Sequence, residues 1–118
     1  MIDRMSEPHI EYTTFSRYDP ETDTIYIDVR QGAPPCYISE AHEQGHRICV
    51  LKGEVPAKLV TRDQEVRAEI CAWKHAAAIL KKQGLWDDYA KLWAKKSLIG
   101  HGIYWDNYMK LEKLVESL

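Results

Sequence analysis

The stretch His42-Glu43-Gln44-Gly45-His46 constrains this chain more than any other. It has the form H-E-x-x-H. On an α-helix, positions i and i+4 share a face, so both imidazoles reach one metal ion if the segment is helical. The glutamate lies about 100° around the same helix, where its carboxylate can touch a water bound to that ion. Two ligands leave such a site incomplete, because catalytic zinc sites use three protein ligands and keep a fourth position open. The fold must therefore bring a second element, bearing another Glu, Asp or His, against the motif helix.

A length of 118 residues sets the frame as one domain, residues 1–118, with too little chain for a separate substrate domain. A net charge of −2 argues against a broad nucleic-acid surface. No apolar run approaches the roughly 20 residues of a membrane span. Residues 1–9 read as flexible, and the polar start lacks the apolar stretch of a signal peptide. Cys36, Cys49 and Cys71 show no C-x-x-C spacing. Their odd number, without an export signal, predicts reduced thiols in a cytoplasmic protein. Oligomeric state is not legible.

The element pattern predicts an α+β domain, a short N-terminal antiparallel β-hairpin followed by four helices. Ile10 to Tyr18 contains good strand formers, Asp19 to Asp23 is a turn cluster, and Thr24 to Val29 alternates apolar and polar residues. Pro34-Pro35 breaks the strand. The motif helix is expected from about Ser39, as N-cap, to Lys52, with Gly53 as its stop. Thr61 and Gln64 have capping-box spacing, and a long helix follows to Gly84. Leu85 to Leu98 and Ile103 to Leu118 supply the third and fourth helices, around a break at Gly100-His101-Gly102.

The second long helix offers the missing ligand. Glu65 and Glu69 stand one turn apart near its start, and Glu65 gives the spacing H-E-x-x-H-x18-E. Glu65 is the expected third ligand. Glu69 is either the alternative ligand or the carboxylate that fixes a ligating imidazole through its other nitrogen. Ala68, Ala72 and Ala76 lie on the same stripe, and Gly45 removes a side chain from the facing helix. Small residues on both sides let the two helices approach closely.

The expected chemistry is metal-assisted hydrolysis with one Zn2+. Zinc held by two imidazoles and a carboxylate lowers the pKa of a bound water and polarises a carbonyl. Glu43 is the general base towards the water and then the acid towards the leaving amine. His101, between two glycines, and Tyr104 are the candidates for a second oxyanion donor. Thr24 to Val29 is the candidate edge strand for pairing with an extended peptide.

The x18 spacing resembles that of the gluzincins, zinc peptidases with a glutamate third ligand. Ile38 to His46, with the acidic stretch Glu65 to Trp73 and the order of hairpin, motif helix and acidic helix, resembles the ImmA/IrrE-type metallopeptidases over residues 10 to 83. The glutamate here lies nearer the motif, and the usual Glu-Ala-Asn is absent. The resemblance implies a minimal zincin-like domain. It also implies a narrow-specificity protease of phage or mobile-element type, acting on a regulatory protein such as a helix-turn-helix repressor. The alternative is a catalytically idle metal-binding protein that docks to a transcription factor through aromatics around Tyr104.

Overall fold

The computed structural model describes residues 7–102 and 108–118. Three short strands precede four helices: β1 (His9–Thr13), β2 (Arg17–Asp19), β3 (Thr24–Asp28), α1 (Cys36–Leu51), α2 (Arg62–Lys82), α3 (Asp88–Gly100) and α4 (Tyr108–Ser117). The α+β class is as expected. The sheet is not a plain hairpin, because the first predicted strand is two.

The sheet order is β1-β3-β2. β1 runs parallel to β3 in the register His9↔Thr24 to Thr13↔Asp28. The chain then crosses the end of β3, where Ser16 Oγ accepts a hydrogen bond from the Asp28 N–H at 2.9 Å. It returns on the other side as β2, antiparallel to β3, with Tyr18 opposite Ile25. Alternation along a strand says which face is buried but not which neighbour it pairs with. The correction matters for function. β3 is the central strand, hydrogen-bonded on both sides, so Thr24 to Val29 has no free edge for a substrate.

Alternation puts Ile25 and Ile27 on the buried face of β3, where they cluster with Tyr18 and pack against Val50 of α1. The α1 residues Ile38 and Ala41 join Trp73, Ala76 and Leu80 of α2. That core extends to Ala90, Ala94 and Leu98 of α3 and to Leu111 and Val115 of α4.

α1 starts earlier than Ser39. Pro35 is its N-cap and makes no side-chain cap bond. The fixed φ of proline presets the entry to a helix without needing a capping hydroxyl. Ser39 is instead buried inside the helix. α2 begins as its sequence predicts: Thr61 Oγ1 accepts from the Gln64 N–H, and the Gln64 side chain returns to the Thr61 N–H, completing a capping box.

α1 and α2 run antiparallel, with Ala41 and Ala76 in one buried cluster and Cys49 and Ala68 in another. At their crossing Gly45 faces Ala72 so closely that a Cβ on Gly45 would collide with the Ala72 carbonyl. The stripe Ala68, Ala72 and Ala76 is buried there, as the small-residue pattern predicts.

The expected free thiols are also corrected. Cys49 and Cys71 are joined in a disulfide with a Cα–Cα distance of 6.3 Å, and Cys36 is free and exposed. These two cysteines are distant in sequence but meet across the antiparallel helix pair, which a search for local cysteine spacing does not detect.

A half-buried ion pair fixes α1 to the turn that leads into β3. Arg47, directly after His46, donates from Nε to Asp23 Oδ1 at 2.7 Å and from Nη2 to Oδ2 at 3.1 Å. Tyr18 OH also donates to Asp23, at 2.7 Å. The Arg47 guanidinium holds the Asp23 carboxyl below the usual carboxylate range, against a smaller opposing effect of burial. Asp23 has a φ of +50°, a conformation that asparagine also accepts. Asp23→Asn should therefore keep the backbone and destabilise the fold by about 1–2 kcal/mol near neutral pH, between the values for an exposed and a buried pair. A depressed carboxyl stabilises above its unfolded pKa, and that contribution is lost as pH falls through the lower folded value. The urea-unfolding difference between variant and wild type should thus narrow below about pH 4.

Candidate metal centre

Helical spacing places His42 and His46 on one face of α1, with their ring centroids 4.8 Å apart. The face of α2 opposite them carries Glu69. Its Oε2 accepts from His42 Nε2 at 2.9 Å, and its Oε1 lies 3.2 Å from His46 Nε2. The candidate ligand atoms of His42, His46 and Glu69 all lie within 4.8 Å of one another.

Of the two acids, the structure brings Glu69 and not Glu65 to the histidines. Glu65 is 52% exposed at its side chain and faces Arg62 at 3.8 Å, whereas the Glu69 side chain is 11% exposed. The reason is the helix crossing. Gly45 and Ala72 set the level at which α2 meets α1, and Glu69 lies just under one turn before Ala72. Glu65 is a further turn away, at the solvent-facing start of α2.

Glu43 is buried within the same cleft, and its Oε2 is 3.3 Å from His42 Nδ1. His42 thus has a carboxylate at each ring nitrogen. Burial disfavours its imidazolium, but Glu43 and then Glu69 outweigh that and raise its pKa to about 10. Burial likewise opposes ionisation of Glu69, yet the bonds and charges of His42 and His46 win and hold its carboxyl far below the usual range. A metal ion entering here would displace a proton from the His42 imidazole.

Two supports were not foreseen. Trp73, one turn after Glu69 on α2, stacks on the His42 ring with centroids 4.4 Å apart and planes 13° from parallel. Its Nε1–H donates to Ser97 Oγ of α3 at 3.1 Å. The ring of a candidate ligand is therefore held in plane by an indole that a third helix fixes. The i, i+4 relation of Glu69 and Trp73 was the available signal, but Trp73 reads equally well as a core residue.

His101 reaches the site. As the C-cap of α3 it brings Nε2 to 3.1 Å from Glu69 Oε1, while its backbone oxygen accepts from Arg62. Tyr104 lies outside the described residues. The cleft has a volume of about 580 Å³, and its walls include Tyr18 of β2, Leu59 of the α1–α2 connection, and Trp93 and Lys96 of α3.

The donor set fits a tetrahedral metal. Zinc bonds of about 2.0–2.2 Å put neighbouring ligand atoms roughly 3.3 Å apart. His42 Nε2 to Glu69 Oε2 at 2.9 Å and His46 Nε2 to Glu69 Oε1 at 3.2 Å place both imidazoles against one carboxylate, near enough for all three groups to share an ion. Two imidazoles and one carboxylate would leave a coordination position on a four-coordinate ion unfilled by these three residues.

Comparison with protein-family models, curated proteins and solved structures finds no match to this chain. Among the described residues no helix is long and apolar enough to cross a membrane.

Proposed function

We propose that the chain is a small zinc-dependent peptidase of narrow specificity, with His42, His46 and Glu69 as metal ligands and Glu43 as the general base. The observation that supports this best is the convergence of those three ligands beside a buried carboxylate on the wall of one cleft. Two nitrogens and an oxygen with a fourth position free is the pattern of catalytic rather than structural zinc. When bound, zinc lowers the pKa of a coordinated water and polarises the scissile carbonyl.

The chain's own groups supply the rest. The Glu43 carboxylate takes a proton from the attacking water and hands it to the leaving amine. His101, on the rim with Nε2 3.1 Å from Glu69 Oε1, turns that N–H from the carboxylate to the carbonyl oxygen as the latter gains negative charge. Trp73 keeps the His42 ring in position. An extended peptide has β2 as its natural pairing edge in place of β3. Arg17 and Tyr18 border the cleft, and β2 has a strand neighbour on one side alone among the described residues. The substrate class fitting so small a site is a single regulatory protein, with a helix-turn-helix repressor as the leading candidate and a cytoplasmic setting.

Glu43→Gln separates the chemistry from the metal. It should retain zinc and lower cleavage of a responsive substrate by at least about 100-fold, the low end for general acid–base catalysis. Zinc content by mass spectrometry and turnover by peptide mapping give the two readouts. Unchanged turnover sinks the general-base assignment. Unchanged biological effect without turnover points instead to a docking protein.

A further inference from the structure

A second group of metal-ligating side chains lies on the same helix pair, outside the cleft. Cys49, Glu54, Cys71 and His75 each offer a ligand atom, and these atoms all lie within 4.8 Å of one another. Local geometry explains the grouping. Cys71 and His75 are i and i+4 on α2, hence on one face. Gly53, with a φ of +72°, turns the chain after α1 so that the Glu54 N–H bonds back to the Cys49 carbonyl at 2.9 Å. That turn presents Glu54 Oε1 to His75 Nε2 at 2.6 Å. Cys49 is fully buried, the His75 side chain is 16% exposed, and Glu54 forms the outer edge at 37%.

We propose that, with Cys49 and Cys71 in the dithiol state, these four side chains form a closed binding site for one zinc ion. Two thiolates, an imidazole and a carboxylate make a four-ligand set for a borderline-soft divalent metal. The contrast with the other centre is chemical. Three ligands and an open position suit catalysis, and four protein ligands without an open position suit structural support. Neither the peptidase reading nor its ligands enter this inference.

The disulfide and the metal site are two states of one sulfur pair. A phosphine reductant converts one to the other: the phosphine gives two electrons to the S–S bond and takes the oxygen of a water, whose two hydrogens protonate the two sulfurs. Metal binding then releases both protons as the thiolates coordinate. The zinc form clamps α1 to α2, as the disulfide does.

The test uses the full chain carrying Cys36→Ser, which removes the exposed free thiol, reduced with a phosphine and titrated anaerobically with Co2+ and Zn2+. The expected result is one ion per chain bound with the intense near-ultraviolet thiolate-to-cobalt absorption, whether or not the His42 and His46 centre also fills. Cys71→Ser should abolish that absorption and lower the number of bound ions by one. His75→Ala, at a partly exposed position that should fold, should weaken the absorbing site by at least about 10-fold. Glu69→Gln should leave the absorption intact, which separates this site from the other. Reduced protein with two accessible thiols and no thiolate-to-cobalt absorption overturns the proposal. Persistence of the disulfide in the folded protein under the same reductant overturns it as well.

Discussion

Glu69→Gln should weaken zinc binding by at least about 100-fold, while Glu65→Gln should change it by less than about 2-fold. The two residues are one helical turn apart and chemically identical, so the comparison isolates position. Glu69 is the carboxylate shared by the Nε2 atoms of His42, His46 and His101. Its amide keeps the shape but removes the negative charge that favours a cation between those rings. Glu65 loses no more than an exposed pairing with Arg62, worth about 0.5 kcal/mol at most on a helix surface. Competition against a chromophoric chelator measures both affinities. Equal losses, or a larger loss at Glu65, would remove Glu69 from the ligand set.

Gly45→Ala should destabilise the fold by about 3 kcal/mol, the upper end for overpacking, although alanine is the better helix former by about 1 kcal/mol. The sign is decided by what the new methyl meets. At Gly45 it meets the backbone carbonyl of Ala72, which moves only if α2 moves. Because Glu69 rides on α2 and His42 and His46 flank Gly45 on α1, the same displacement should weaken metal binding. Gly100, the last residue of α3, is the matched control. A Cβ there has nothing within 4 Å, so Gly100→Ala should be neutral or mildly stabilising. Urea unfolding of the two variants checks this. A Gly45→Ala protein as stable as wild type would mean that the close approach does not exist.

Local features were legible and spatial ones were not. The capping box at Thr61 and Gln64, the i, i+4 histidines and the small-residue stripe of α2 each depend on residues within a turn or two of one another. The choice between Glu65 and Glu69 depends on where two helices cross, and both acids satisfy every local criterion. The same limit explains the sheet. Thr24 to Asp28 is readable as a strand, but that it takes β1 as a parallel neighbour and β2 as an antiparallel one follows from the crossing at Ser16. It explains the sulfur chemistry too, since Cys49 and Cys71 meet only after α1 and α2 have packed. Ser39 illustrates a milder conflict: a good capping residue was available, yet Pro35 had already set the helix start.

His42, Glu43, His46 and Glu69 all belong to a single helical hairpin, α1 and α2 with one connection between them. Contacts of short sequence separation cost little loop-closure entropy and form early, in contrast to pairings between distant segments. The grouping of these four side chains is therefore inexpensive in kinetic terms. It does not wait for α4 to dock, because two consecutive helices carry all four residues.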